Sequence, residues 1–267
     1  TIEAAWAGWP TPLRTEVPVN ATVPAVAAEQ VAGVLARYDG CTTAKVKVAE
    51  RGQPLADDLD RVAAVRDVMG ADARVRVDAN GGWSLTEAVD AVAALAPFGL
   101  EYVEQPCADV RDLARLRVEL ARRGLAVPVA ADESIRKAED PLEVARLEAA
   151  DVVVVKVAPL GGVAHALEVV ADCGLPAVVS SAIDSSVGLR AGVALAAALP
   201  DLGHACGLGT GALLAADVSR EPLLPAEGAL PVREVVVDPD LLARHAAPPA
   251  RVDWWRERVR AASAART

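Results

Sequence analysis

The chain has 267 residues, 53% of them hydrophobic, and its 37 acidic and 27 basic residues give a formal net charge of −10. This charge argues against a protein that binds nucleic acid or an anionic membrane surface, because both would repel it. No apolar run reaches the roughly 18 residues of a membrane-spanning helix and no signal peptide is visible, so we expect a cytoplasmic protein.

Short β-rich runs alternate with amphipathic helical stretches along the chain, a pattern typical of a parallel sheet whose strands are joined by helices. Eight strands are predicted, at residues 17–23, 43–48, 74–78, 102–104, 127–131, 152–157, 177–181 and 204–207. Six helices are predicted between them, at residues 55–69, 85–95, 111–122, 141–149, 163–172 and 189–199. Ser84 and Glu87 have the spacing of a capping box at the start of the second helix.

Polar residues recur at the ends of successive strands at intervals of 24 to 31 residues, at Lys47, Asp78, Glu104, Asp132 and Lys156. Eight strand–helix units of this regular length close naturally into a TIM-type barrel. The alternative is an open, doubly wound sheet, for which a GxGxxG motif is expected after the first strand. That position has no such motif, so the sequence favours an α/β barrel.

Two lysines alternate with valines in the second predicted strand. Lys45 and Lys47 therefore share one face of this strand, and the intervening valines share the other. A lysine inside a barrel is costly unless it is paired or functional. The two interpretations are a functional pair and a structural pair held in salt bridges.

Three carboxylates end three consecutive strands: Asp78, Glu104 and Asp132. Consecutive strands are neighbours, so these side chains are expected to converge and to repel one another. A hard divalent cation resolves this repulsion, and all-oxygen ligation suits Mg²⁺, with Mn²⁺ as a possible substitute. The alternative is that each carboxylate caps a helix or forms a surface ion pair.

Lys156 ends the sixth predicted strand, which lies across a ring of eight from the strand that carries Lys47. Two lysines on opposite sides of a metal site suit the removal of a weakly acidic proton next to a carboxylate. The metal would bind this carboxylate and stabilise the negative charge that develops. The sequence thus predicts an enzyme whose substrate is a small carboxylic acid.

These motifs resemble those of the enolase superfamily, and within it the muconate-lactonising subgroup, over about residues 17–211. The motifs are Lys45-Val-Lys47, Arg76-Val-Asp78-Ala-Asn80, Glu104-Gln-Pro, Asp132-Glu133-Ser134 and Lys156. The resemblance implies a (β/α)7β barrel with Lys47 and Lys156 as the paired catalytic lysines. It also implies that the Mg²⁺ ligands are Asp78, Glu104 and Asp132.

Within this superfamily the chain is most similar to the family of actinobacterial o-succinylbenzoate synthases. The similarity lies in Pro-Val-Asn-Ala-Thr-Val-Pro at 18–24, Val-Lys-Val-Ala-Pro-Leu-Gly-Gly at 155–162 and Ser180-Ser181. It implies dehydration of a cyclohexadiene carboxylate to an aromatic product in menaquinone biosynthesis. Lys47 would then act as base and afterwards as acid in a syn elimination, with Lys156 as a stabilising cation.

Arg76, Asn80 and Ser181 are further candidates, for which contact with the substrate and hydrogen-bonded support of the site both remain open. Two other activities use the same lysines and metal, namely racemisation of N-succinyl or N-acyl amino acids and muconate cycloisomerisation. A barrel that binds a small acid without catalysis is the remaining alternative. The oligomeric state is left open, with a monomer allowed.

The chain is predicted to have three parts, of which residues 17–214 form the catalytic barrel. Members of the superfamily carry an N-terminal α+β capping domain, and almost all of such a domain is absent from this sequence. Residues 1–16 are interpreted as its remnant or as a linker from it. Residues 215–267, with a predicted strand at 232–237 and a last helix near Trp254, are expected to pack outside the barrel or against the cap.

Overall fold

A computed structural model describes residues 8–136 and 140–264 of the chain. Seven parallel strands form one sheet in the order of the sequence. They are β2 (Ala21–Val23), β3 (Thr43–Lys47), β4 (Arg74–Asp78), β5 (Leu100–Glu104), β6 (Val129–Ala131), β7 (Val152–Val155) and β8 (Ala177–Val179). Two further strands, β1 (Glu16–Pro18) and β9 (Ala229–Pro231), pair with each other in antiparallel orientation.

The helices that follow the strands of the sheet pack around its outside. They are α1 (Val31–Leu35), α2 (Leu55–Met69), α3 (Leu85–Leu95), α4 (Val110–Arg122), α5 (Glu133–Arg136), α6 (Glu143–Arg146), α7 (Val163–Cys173) and α8 (Ser186–Ala198). Two further helices, α9 (Pro239–Arg244) and α10 (Pro249–Ala264), follow β9, and their described residues are mostly exposed. Short 3-10 turns occupy Ala28–Gln30, Ala96–Phe98 and Gly209–Leu213. In the described part of the chain, no helix combines the length and hydropathy needed to cross a membrane.

Single bridges between short segments close the sheet into a barrel. Cys206 pairs with Val19, and Gly207 pairs with Ser180 next to the last strand. The Cys206 N–H donates to the Pro18 carbonyl at 2.7 Å, and the Gly207 N–H donates to the Val179 carbonyl at 2.8 Å. The predicted eighth strand at 204–207 is therefore wrong as a strand, because the chain turns into the 3-10 turn directly after these two rungs. The predicted α/β barrel is confirmed, with these two rungs in the place of its last strand.

Several predicted elements agree residue for residue with the structure, namely β4, α2 and α3. The capping box at the start of α3 is also confirmed, with the Glu87 carboxylate accepting the Ser84 N–H at 2.8 Å. The predicted strand at 17–23 is instead two strands, β1 and β2, with different partners. Pro18 has no N–H to donate to a continuing ladder, and the Val19 N–H donates to Gly228 of the segment before β9.

Two other predicted elements are wrong in extent or place. The helix predicted at 141–149 is only α6, because Glu148 adopts a left-handed backbone conformation with φ 50° that ends it. The strand predicted at 232–237 lies three to six residues too late, and β9 (Ala229–Pro231) ends directly before it. The Val232 N–H still donates to the Thr15 carbonyl, but the valines beyond it pair with no strand of the described residues, and Val236 is exposed. The predicted division at residues 16 and 214 stays a prediction, and residues 1–7 lie outside the described part.

The barrel interior has an apolar half and a charged half. Alternation within the strands directs Tyr102, Val152, Val154 and Val178 into one buried cluster inside the barrel. Their sequence neighbours face the helices and join the larger core outside. On the side of β3 and β4 the interior positions are instead charged. A polar site is therefore built on one side of an otherwise apolar interior.

Candidate active site

The carboxyl ends of three adjacent strands bring a lysine and two acids to one level of the barrel. The β3–β4 register pairs Lys47 with Asp78, and the β4–β5 register pairs Asp78 with Glu104. Asp132 directly follows β6 and Lys156 directly follows β7. All five residues thus stand at the end of the barrel where enzymes of this architecture build their active sites.

The chain turns sharply after each of the first three of these strands. Ala49 (φ 60°), Asn80 (φ 47°) and Gln105 (φ 38°) all have left-handed backbone conformations, which are uncommon for residues other than glycine. Each lies one or two residues after a charged residue of the site. Such strained positions cluster at functional sites, where the surrounding structure holds them in place.

Lys45 and Lys47 neutralise two buried carboxylates. The Lys45 Nζ lies 2.8 Å from Asp78 Oδ2 and 2.7 Å from Glu104 Oε1, and the Lys47 Nζ lies 2.5 Å from Asp78 Oδ2. The two carboxylates are at most 1% exposed, and buried charges of this kind need opposite charges beside them. Lys47 is the most exposed of the group, with 32% of its side chain accessible, so it faces the barrel mouth.

Asp132 forms a second ionic group on the other side of the site. The Lys156 Nζ lies 2.5 Å from Asp132 Oδ2, and the Arg136 Nε donates to Asp132 Oδ1 at 3.0 Å. Arg136 also donates to Glu133 Oε1 at 2.6 Å. The sequence interpretation did not identify Arg136, whose only signal is its position one helical turn after Asp132.

Asn80 connects the two ionic groups across the mouth. Its Oδ1 accepts a hydrogen bond from the Lys47 Nζ at 2.5 Å, and its Nδ2 donates to Glu133 Oε1 at 3.2 Å. A continuous set of polar contacts therefore runs from Lys47 through Asn80 and Glu133 to Arg136. The predicted supporting residue Asn80 is thus brought to the site, in contact with the lysine rather than remote from it.

Asp78 and Glu104 do not share enough positive charge with Lys45 and Lys47 for both acids to have a lowered pKa. Although burial acts against it, the two lysines hold the pKa of Asp78 far below its usual range. Burial and the charge of Asp78 raise the pKa of Glu104 to about 7, even though Lys45 is in contact with it. One lysine shared between two buried acids thus stabilises the charge of only one of them.

The donor set fits a hard divalent cation. Three nearly fully buried carboxylates supply only oxygen ligands, and Glu104 needs a further positive charge. In the described structure no three His, Cys, Asp or Glu side chains form a group that could hold an ion, and lysine ammonium groups lie against the acids. Lys45 lies between Asp78 and Glu104, whereas Asp132 pairs separately with Lys156 and Arg136. The role of the three carboxylates as ligands stays a proposal.

Arg76 points away from the carboxylates. This fully buried guanidinium donates to the Tyr102 hydroxyl at 2.7 Å and to the Ala205 carbonyl at 2.9 Å, and its Nε donates to Glu101 at 2.9 Å. Its partners lie towards the amino ends of the strands. The geometry therefore favours a role for Arg76 in stabilising the amino-terminal end of the barrel over contact with a substrate.

Ser181 lies beside Lys156 in the loop after β8. Its hydroxyl contacts the Gly207 carbonyl at 2.8 Å and the Thr210 hydroxyl at 2.7 Å. Together with Lys156 it lines a small cavity of about 100 Å³. The structure thus brings Ser181 next to the second lysine, while its own hydrogen bonds are local.

Gln105 is a fully buried residue of the site that the sequence interpretation assigned no role. Its Nε2 donates to Cys107 O at 2.9 Å and to Ser134 Oγ at 2.8 Å. Its Oε1 accepts the N–H groups of Asp132 at 3.0 Å and Ser134 at 3.1 Å. One amide therefore satisfies four partners and fixes the turn that carries Asp132. The sequence feature that could have indicated a role for Gln105 is its position directly after Glu104 in the Glu-Gln-Pro motif.

Comparison with known proteins agrees with this arrangement. A family model described as enolase C-terminal domain-like matches residues 26–236. An o-succinylbenzoate synthase of Thermobifida fusca (strain YX) is 59% identical over 263 residues, covering 98% of this chain and 80% of that protein. An o-succinylbenzoate synthase of Mycolicibacterium smegmatis (strain ATCC 700084 / mc(2)155) is 59% identical over 259 residues, covering 97% of this chain and 78% of that protein.

Solved structures of the muconate-lactonising group share the fold. The muconate cycloisomerase of Pseudomonas fluorescens superposes with a TM-score of 0.77 at 25% identity, covering 87% of this chain and 66% of that one. The chain thus spans about four fifths of the curated relatives and slightly less than two thirds of the cycloisomerase. Enzymes of this superfamily use a divalent metal ion, typically Mg²⁺. The chain belongs to the enolase C-terminal domain-like family, as the sequence motifs predicted.

Proposed function

We propose that the protein is an o-succinylbenzoate synthase, which dehydrates 2-succinyl-6-hydroxy-2,4-cyclohexadiene-1-carboxylate to 2-succinylbenzoate. The observation that carries this proposal is the placement of Lys47 and Lys156 on two sides of three buried carboxylates. The 59% identity to relatives named for this activity, over nearly the whole chain, supports the choice of substrate.

Asp78, Glu104 and Asp132 would hold the metal ion, and Mg²⁺ suits their oxygen donors better than Zn²⁺ does. When bound, the ion supplies positive charge to the substrate carboxylate and so makes the adjacent proton more acidic. Lys45, which contacts two of these acids, would keep them charged and correctly placed. Gln105 would hold the backbone of Asp132 in position.

Lys47 would carry both proton transfers of the reaction. Its side chain is the most accessible of the group, and Asp78 and Asn80 fix its Nζ at the mouth. As a neutral amine it would take the proton from the carbon next to the carboxylate. It would then return this proton to the hydroxyl that leaves on the same face, so that water departs as the ring becomes aromatic.

Lys156 would remain protonated throughout. Only 11% of its side chain is exposed, and its Nζ is bound to Asp132. A buried ammonium next to the reacting group stabilises the negative charge that develops on the substrate. A syn elimination allows this division of roles, because one group on one face can carry both proton transfers.

The proposal is tested by assaying the purified protein with the cyclohexadiene carboxylate and Mg²⁺, with the Lys47→Ala variant as the control. We expect 2-succinylbenzoate to form with the intact protein and its formation to fall by about three orders of magnitude in the variant. Rapid exchange of the α-proton in both enantiomers of an N-succinyl amino acid, without any dehydration, would instead indicate a racemase.

A further inference from the structure

We propose that Arg61 and Asp58 of α2 are positioning residues that hold the turn after Lys47 and so aim its ammonium group. This inference rests on the proposed function for the role of Lys47 as the base. Neither residue touches the carboxylates, and both lie on the helix that packs outside the barrel.

The Arg61 guanidinium donates hydrogen bonds to three separate segments of the chain. Its Nη1 donates to the Lys47 carbonyl at 2.9 Å, and its Nε donates to the Val26 carbonyl at 2.6 Å. Its Nη2 donates to Gln53 Oε1 at 2.6 Å. The residue is 1% exposed, so these bonds form in a region closed to water.

Asp58 holds the other side of the same turn. One of its oxygens accepts from Arg61 Nη1 at 2.8 Å, and the other accepts the Ala49 N–H at 3.0 Å. Ala49 is the left-handed residue that follows Lys47 by two positions. The ion pair therefore binds the carbonyl of residue 47 and the amide of residue 49, and the Val48 N–H between them donates to the Asp78 carbonyl at 3.0 Å.

Apolar residues of similar volume are often as stabilising as a buried ion pair, so the presence of this pair is weak evidence for a role in stability. Here the pair directs its hydrogen bonds to the backbone of one turn. A lysine acting as a base must approach its proton within hydrogen-bond distance. A displacement of about 1 Å from this position can lower a rate about 100-fold. The geometry thus points to a role in the placement of Lys47.

Arg66 on the same helix offers a matched control. It also donates to backbone carbonyls, those of Phe98 at 2.7 Å, Ala73 at 2.5 Å and Gly99 at 2.7 Å. These lie at the amino ends of β4 and β5, away from the site. Its replacement should therefore cost stability through similar lost bonds without moving Lys47.

The experiment compares Arg61→Lys with Arg66→Lys in the purified protein, at a temperature at which circular dichroism shows both to be folded. We expect both variants to lower the melting temperature. Only Arg61→Lys should lower kcat, by about 10- to 100-fold. Its KM and its Kd for Mg²⁺ should stay within about twofold of the wild type, because the substrate-binding groups and carboxylates are left in place.

A crystal structure of Arg61→Lys should also show the Lys47 ammonium displaced from its position beside Asp78. An unmoved ammonium, or an equal kcat in the two variants, would overturn the inference. If Arg61→Lys does not fold, Asp58→Asn replaces it, because the amide keeps one acceptor oxygen for the turn. The crystallographic comparison needs no substrate, so the inference can be judged separately from a failure of the wild type to dehydrate the proposed substrate.

Discussion

The Lys45 ammonium lies 2.7 Å from the Glu104 carboxylate, in the charged half of the barrel interior. The charges of Glu104 and Asp78 outweigh the effect of burial and raise the pKa of Lys45 above its usual value. This contact is an internal ion pair placed directly beneath the mouth. A metal ion bound by Glu104 would share its charge-neutralising role.

Replacement of Lys45 by Met should leave Glu104 and Asp78 short of positive charge. Breaking a buried pair in this way costs about 3–5 kcal/mol. We expect a loss of this size in the free energy of unfolding without metal and a smaller loss with saturating Mg²⁺, measured by urea denaturation. Lys45→Arg, which keeps the charge, is the control. An equal loss in both conditions would contradict the proposed position of the ion.

Metal binding should stabilise the folded protein. A ligand that binds only the native state adds about 2.7 kcal/mol at a concentration 100 times its Kd. We expect Mg²⁺ to raise the melting temperature, and Asp78→Asn to remove most of this increase. Chelation should abolish turnover, and added Mg²⁺ should restore it. Full turnover by a verified metal-free preparation would rule out the site.

The two lysines should respond differently to substitution. Lys47→Ala removes the group that transfers the proton, so we expect kcat for dehydration to fall by about three orders of magnitude. Lys156→Arg keeps a positive charge and should retain measurable dehydration. In a racemase both lysines must exchange protons, so either change would stop inversion of an N-succinyl amino acid. Loss of activity in Lys156→Arg as complete as in Lys47→Ala would count against the proposed division of roles.

Gln105 should affect metal affinity without being a ligand. Gln105→Ala leaves the N–H groups of Asp132 and Ser134 without an acceptor, at a cost of about 1–3 kcal/mol for each buried group. Residues that orient metal ligands typically change affinity by about 10- to 100-fold. We expect calorimetry to show Mg²⁺ binding weakened by such a factor. Unchanged affinity in a destabilised variant would limit Gln105 to a structural role.

Glu101, near the amino end of β5, should make the free energy of unfolding depend on pH in the acid range. Burial opposes its charge, but the hydrogen bond from His204 and the charge of Arg76 lower its pKa overall. A carboxylate whose pKa is lowered by folding stabilises the protein above its unfolded pKa of about 4.3, and this contribution is lost as the pH falls. We therefore expect Glu101→Gln to be less stable at pH 7 and to lose less stability between pH 5 and 3. Chemical denaturation across this range measures both, and a profile parallel to that of the wild type would contradict the assignment.

The sequence by itself determined the placement of the main charged residues. The two-residue period of a strand put Lys45 and Lys47 on one face, and the regular strand–helix spacing put Asp78, Glu104, Asp132 and Lys156 at strand ends. These features depend on local backbone geometry, so a pattern along the chain is enough to find them.

Contacts between distant segments were decided only by the tertiary structure. The rung between Cys206 and Val19 that closes the barrel joins residues far apart in the chain, and it is a single bridge where the sequence predicted a full strand. The tertiary structure also decided that Arg76 points towards the amino ends of the strands and that Arg61 donates to the Lys47 carbonyl. A side chain that binds a backbone group of another segment leaves no periodic pattern, because its partner is fixed by packing and not by residue type.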